Sequence, residues 1–377
     1  MTPFVDPQMQ AILDRIQADP QIDFKTMPIA EARRQADAAT IPWSRGAPEM
    51  AARDLTVDAG GREMSARLYL PMEEPIASLI LYIHGGGWTF GSIDTHDGTM
   101  RNLAKAAQLP VLGIDYRLAP EHPFPAPLDD VLTAIAFIEA GGLGSPISAQ
   151  DMIIAGDSAG ANLALAALLA RRDRSLPQLA SAALFYGCYA PDFTTVSHAE
   201  FGGGAYLLSS VNMRWYWTNF LGQEGADTTS LAAPVRCDLS GLPPLYLSAA
   251  GLDPLRDDTL QLAEKLAASG IFFRCDHVPG VVHGCLRMTR ELDAARAMIE
   301  AGADFIVSQL NEKTWEEHNH GTPRLPEAFR CRRSGGAAGT TGHRTDADHR
   351  ALVVPFRQSA ELARSPGGEV RAGEPRH

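Results

Sequence analysis

Met152-Ile153-Ile154-Ala155-Gly156-Asp157-Ser158-Ala159-Gly160-Ala161-Asn162-Leu163 holds the change of rhythm that decides the fold. Four apolar residues without alternation read as a strand buried on both faces, and the Ala/Leu-rich stretch over 162–172 reads as a helix. Between them stands Gly-x-Ser-x-Gly. A strand that turns abruptly into a helix through a serine is a nucleophile elbow, in which the serine backbone is strained and its neighbours must be small. Gly156, Ala159 and Gly160 meet that demand. The pattern alone would also suit a glycine-rich turn that merely joins two elements, and it is the strand before and helix after that point to Ser158 as a nucleophile.

The same rhythm recurs on either side. Short apolar runs lie at 79–83, 111–114, 182–185 and 245–249, and helical stretches at 99–107, 128–139 and 259–268 separate them. Alternation of this kind predicts an α/β fold with a mostly parallel sheet joined by right-handed crossovers. Residues 53–57 and 64–70 alternate apolar and polar side chains around Ala59-Gly60-Gly61, as an antiparallel hairpin does. A last strand at 272–278 precedes a final helix at about 292–310. Residues 1–50 carry Met9, Ile12, Leu13 and Ile16 at helical spacing and a second helical stretch at 29–36, and are read as cap helices. The segment at about 190–225, with Phe201, Trp215, Tyr216, Trp217 and Phe220, reads as an inserted cap over an apolar pocket. The catalytic domain is thus expected over 51–311. Residues 312–377, rich in Gly, Arg, Thr and Pro without periodicity, read as a disordered tail.

His84-Gly85-Gly86-Gly87-Trp88 follows the strand at 79–83 directly. Acyl transfer needs backbone N–H donors aimed at a developing oxyanion, and a glycine loop lets them approach. Gly85, Gly86 and Ala159 are the expected oxyanion hole. A phosphate loop would want a following Lys and Ser or Thr, which Trp88 and Thr89 do not supply. The serine needs a base, and eleven histidines compete for that role. Five lie in the tail, His277 in a strand, His198 in the cap and His84 in the glycine loop, while His96 and His122 come too early for the chain order Ser, Asp, His. His283, in the loop after the last strand, is the expected general base. Asp253, first after the strand at 245–249, is the expected orienting acid, with Asp257 in reserve. Asp94, His96 and Asp97 lack the spacing of a metal motif and read as helix capping, and the stretch Asp115-Tyr116-Arg117 reads as a brace for the glycine loop.

The totals exclude several other classes. A net charge of -12 disfavours nucleic acid, which requires a positive surface. No apolar run is long enough for a membrane span, and the first ten residues lack the pattern of a secretory signal, so cytoplasmic residence is expected. Five scattered cysteines without CxxC spacing read as reduced thiols rather than a disulfide or zinc framework. No metal and no organic cofactor are called for, since a triad and backbone amides supply every group such a reaction needs.

HGGGW at His84–Trp88, DYRLAPEHPFPA from Asp115 to Ala126, GDSAG at Gly156–Gly160, DPLRDD from Asp253 to Asp258, and HG at His283 occur together and in this order. Over residues 1–310 the chain resembles the hormone-sensitive-lipase-like family of bacterial esterases, family IV, in its GDSAG branch. The resemblance implies an α/β-hydrolase fold with an eight-stranded sheet and a helical cap. It also implies a carboxylesterase acting through an acyl-enzyme on esters of short to medium acyl chains, with His84 bracing its loop. Dimerisation through the last strand is implied as well. Long-chain lipase, amide or lactone hydrolase, and a non-catalytic small-molecule receptor on the same fold are the alternatives.

Overall fold

In the computed structural model the described residues are 3–19, 22–72, 76–222, 231–319 and 331–333, with the backbone alone described at 312–319 and 331–333. Two helices open the chain, α1 (Pro7–Ala18) and α2 (Ile29–Thr40), followed by the hairpin β1 (Ala51–Asp58) and β2 (Glu63–Leu70). Strand and helix then alternate through β3 (Leu79–Ile83), α3 (Ile93–Ala107), β4 (Val111–Ile114), α4 (Ala126–Glu139), β5 (Met152–Asp157), α5 (Ala159–Asp173) and β6 (Ser181–Phe185). Two helices, α6 (Val196–Phe201) and α7 (Ser210–Leu221), interrupt that rhythm before β7 (Leu245–Leu252), α8 (Arg256–Ala268), β8 (Phe273–Val282), α9 (Asp293–Asn319) and β9 (Cys331–Arg333).

The strands form one sheet in the order β1-β2-β4-β3-β5-β6-β7-β8-β9, antiparallel where β2 meets β1 and β4 and parallel elsewhere. Alternate side chains supply two cores. Leu79, Leu81 and Ile83 of β3 join α4 and α5 on one face, and Ile80 and Tyr82 join α3 and α9 on the other. With both faces covered, β3, β4, β5, β6 and β7 are buried along their whole length. Helix α5 is buried from Ala159 to Arg171, which its run of alanines allows by keeping the helix narrow against the sheet.

Three features differ from the sequence reading. The last strand runs to Val282 rather than residue 278. Residues 279–282 are expected in the loop before His283, but Pro279 and Gly280 sit at an irregularity between the Ala250–Val278 and Leu252–Val282 pairs, and Gly280 takes φ +77. The final helix continues to Asn319, and Cys331–Arg333 add a ninth strand parallel to β8, so part of the segment read as a disordered tail is ordered. The rest of 312–377 lies outside the described residues. The new strand pairs Cys331–Arg333 with Cys275–His277 of β8. No helix among the described residues is long and apolar enough to cross a membrane.

Candidate active site

Ser158 stands between β5 and α5 with φ 54 and ψ -121, a conformation that costs a non-glycine residue about 1–3 kcal/mol. The surroundings hold it there. A Cβ on Gly160 would run into the Ile83 carbonyl oxygen, and one on Gly156 would lie 2.7 Å from the Gly160 backbone, so the helix can approach β3 only through glycine. The Ser158 amide donates to the Phe185 carbonyl at 2.9 Å, which ties the elbow to β6.

The ends of β7 and β8 bring up the other two predicted residues. His283 follows the last residue of β8, and its Nε2 lies 2.8 Å from Ser158 Oγ. Its Nδ1 lies 2.7 Å from Asp253 Oδ2, and Asp253, wholly buried one residue beyond β7, also accepts the Leu255 amide at 2.8 Å. Residues 125 apart in sequence thus form one hydrogen-bonded chain. Asp257 faces elsewhere: it accepts from the Ser197 amide and from Arg256, fastening α6 to α8.

The glycine loop requires a correction. The Gly85 amide, expected in the oxyanion hole, donates to Asp157 Oδ1 at 2.9 Å and is not free for a substrate oxygen. Gly86 and Gly87 line the cavity beside Ser158. No backbone hydrogen bond among the described residues uses the amides of Gly86, Gly87 or Ala159. Asp157, the variable position inside Gly-x-Ser-x-Gly, therefore joins the elbow to the loop. It also accepts the Tyr82 hydroxyl at 2.8 Å and has His96 Nε2 at 3.4 Å. Burial works to raise its pKa, but His96, the Tyr82 hydroxyl and the Arg287 charge outweigh that and hold the carboxyl well below the usual range.

Other candidates fall into place around this frame. His84 donates from Nδ1 to the Gly85 carbonyl and stacks on Tyr116 at 4.3 Å; burial first, then the neighbouring His96, lowers its pKa to about 3, so it braces the loop as a neutral ring. Tyr116 donates to the His84 carbonyl and the Ala119 amide to that of Trp88, the bracing expected of this stretch. Arg117 pairs with Asp130 instead. Capping of α3 falls to Ser92 and Thr95, while Asp94 and Asp97 bind Arg67 and Arg101, and the described residues contain no cluster of potential metal ligands.

Asp115 accepts the Ile93 amide at 2.7 Å, yet burial, with Asp94 and Asp37 adding to it and that hydrogen bond and Arg67 opposing, raises its pKa to about 6. The folded protein therefore binds this proton more tightly than the unfolded chain, and the contribution to stability is lost as pH rises through about 6. Denaturant melts should show wild type losing about 2 kcal/mol relative to Asp115→Asn between about pH 4 and 7. Parallel curves for the two proteins would refute this.

Ser158 opens into a cavity of about 540 Å³. Its walls come from the segment around Phe24, from Ala36 to Thr40 of α2, from Leu207 and Leu208, and from Met213 and Tyr216 of α7. Both predicted cap regions thus reach the pocket, although α1 buries Met9, Ile12 and Leu13 in the core beneath.

The sequence profile for the alpha/beta hydrolase fold matches residues 80–287. The chain belongs to that family. Among the solved structures this hydrolase resembles are an ester-hydrolase from the metagenome of Lake Arreo, 32% identical with a TM-score of 0.77 over 82% of this chain and 100% of that one, and the hyperthermophilic esterase of Pyrobaculum calidifontis, 30% identical with a TM-score of 0.75 over 81% and 98%. The thermostable carboxylesterase EstE1 from a metagenomic library is 31% identical, with a TM-score of 0.70 over 75% and 98%. The motifs place the hydrolase in the hormone-sensitive-lipase-like branch.

The cap of this hydrolase bears directly on its glycine loop. Trp88, wholly buried, stacks on Phe220 of α7 at 4.0 Å with the rings 6° from parallel, and Trp217 meets it at 4.6 Å. A side chain on Gly87 would run into the ring of Tyr216. Asp157, Gly87 and Arg287 are among the pocket residues that sequence reasoning missed, and His96, read there as capping, faces Asp157. Asp157 and Gly87 carried a signal, as members of the two motifs already singled out.

Proposed function

We propose that the protein is a carboxylester hydrolase that cleaves esters of short to medium acyl chains through an acyl-enzyme. The observation that carries this reading is the continuous chain from Ser158 Oγ through His283 to buried Asp253 beside the cavity. That the Lake Arreo protein is an ester-hydrolase, the Pyrobaculum protein an esterase and EstE1 a carboxylesterase supports it.

In this mechanism Ser158 Oγ attacks the ester carbonyl carbon while His283 Nε2 takes its proton. Asp253 keeps the other ring proton on Nδ1 and stabilises the imidazolium that forms. The tetrahedral oxyanion is held by the amides of Gly86 and Ala159, with Gly87 in place of Gly85, each such donor contributing about 3–4 kcal/mol to the barrier reduction. His283 then protonates the departing alcohol, and water repeats the sequence to release the acid. Every proton has a resident carrier, so no metal or cofactor enters the scheme.

Phe24, Leu207, Leu208 and Met213 give the cavity of about 540 Å³ an apolar wall, which suits an acyl chain of short to medium length. Rates on p-nitrophenyl esters from acetate to palmitate should peak at short to medium chains and fall toward palmitate. A rate still rising at palmitate would make the protein a lipase, and no hydrolysis of any member would leave a receptor on a hydrolase fold.

A further inference from the structure

Arg287 is the one Lys or Arg among the described residues that line the Ser158 cavity. It lies four positions beyond His283, on the short helical turn Cys285–Met288, and a terminal guanidinium nitrogen occupies the space that a side chain on Gly284 would need. The only hydrogen bond it makes among the described residues is a long one, from Nε to the Gly284 carbonyl at 3.4 Å. No carboxylate among them lies within ion-pairing distance, unlike Arg33, Arg67, Arg117 and Arg256, each of which has an acidic partner. The carboxylate on the same wall, Asp157, is occupied by Tyr82, the Gly85 amide and His96. Asp37, at the other side of the cavity, is not paired with Arg287 either.

A half-buried guanidinium whose terminal N–H groups meet no acceptor among the described residues and which lines the cavity is available to a ligand oxygen, its charge acting on Asp157 only from beyond ion-pairing distance. Its planar fork matches a carboxylate in a way no neutral group does. We infer that Arg287 anchors a carboxylate on the substrate, so that the preferred esters carry a free acid group near the scissile bond. This rests on the hydrolase reading above and adds the substrate class to it. Two kinds of ester share that chemistry: half-esters of dicarboxylic acids, with the charge on the acyl side, and acyl esters of hydroxy acids, with the charge on the alcohol side.

The test compares kcat/KM for monomethyl glutarate with dimethyl glutarate, and for O-butyryl lactate with its methyl ester, in wild type, Arg287→Met and Arg287→Lys. In wild type at least one charged ester should be favoured over its neutral counterpart. That ratio should fall about tenfold to a hundredfold in Arg287→Met, the worth of a charge-assisted hydrogen-bonded pair, mostly through KM, with Arg287→Lys in between. Glutarate should also inhibit hydrolysis of p-nitrophenyl butyrate less well in Arg287→Met. Ratios that agree within about twofold in wild type and Arg287→Met for both pairs, with glutarate inhibition unchanged, overturn the inference while leaving the esterase standing. Failure of wild type on the neutral esters as well removes the esterase reading and this inference together.

Discussion

Ser158→Ala should lower kcat on p-nitrophenyl butyrate by roughly 10⁴- to 10⁶-fold. The oxygen removed is the one that would bond to the acyl carbon, and His283 Nε2, 2.8 Å from it, is left with no proton to take from a nucleophile. Other elements of the site survive, because the amides of Gly86, Gly87 and Ala159 belong to the backbone and the elbow is fixed by Gly156 and Gly160 rather than by the serine hydroxyl. Residual turnover above the uncatalysed rate would then measure what the oxyanion hole and binding contribute alone. A variant that keeps more than about a tenth of wild-type activity while folding normally by circular dichroism would show that the nucleophile is another group.

Asp253→Asn should cost about 10⁴-fold in kcat for a different reason. The carboxylate is wholly buried, accepts Nδ1–H from His283 at 2.7 Å, and spends its other oxygen on the Leu255 amide at 2.8 Å. An asparagine that keeps its oxygen on the Leu255 amide turns its NH₂ toward His283, and Nδ1 must then become the acceptor. The ring proton moves to Nε2, which faces Ser158 as a donor and cannot receive the serine proton. Shape is retained, so the melting temperature should change little while turnover collapses, and KM should hold near the wild-type value. Equal losses in Asp253→Asn and Asp257→Asn would deny Asp253 a distinct part, since Asp257 is committed to Ser197 and Arg256.

The parts of this molecule that could be read from the chain are those whose physics is local. Strands β3 and β5 announce themselves because burial on both faces leaves no polar position, and the elbow does because its strain admits only small neighbours. Chain order removes the upstream histidines, and place in the last strand or the tail removes the others, which leaves His283 as the expected base among eleven. What escaped depends on pairings across the fold. Three consecutive glycines look equivalent in sequence, but Gly85 has its amide taken by Asp157, a residue 72 positions away, and only the folded chain shows which amides stay free. Residues 279–282, expected in the loop before His283, belong to β8 because the ladder resumes at Leu252–Val282 beyond the irregularity at Pro279 and Gly280. Arg287 stood out in no motif, because being unpaired inside a cavity is a property of its surroundings and not of its neighbours in the chain.

The packing of Trp88 against both Trp217 and Phe220 ties the mouth of the pocket to its chemistry. A gate hinged on α7 could not swing away without dragging the glycine loop along, so on that side the doorway and the workbench are one piece of joinery. The facing wall, in the stretch from Ile22 to Thr40, is attached one step further along the chain, where Phe24 packs on Phe90 at 5.5 Å and Arg33 donates to the Thr89 carbonyl at 2.9 Å. Changes in α7 therefore reshape the doorway and the glycine loop at once.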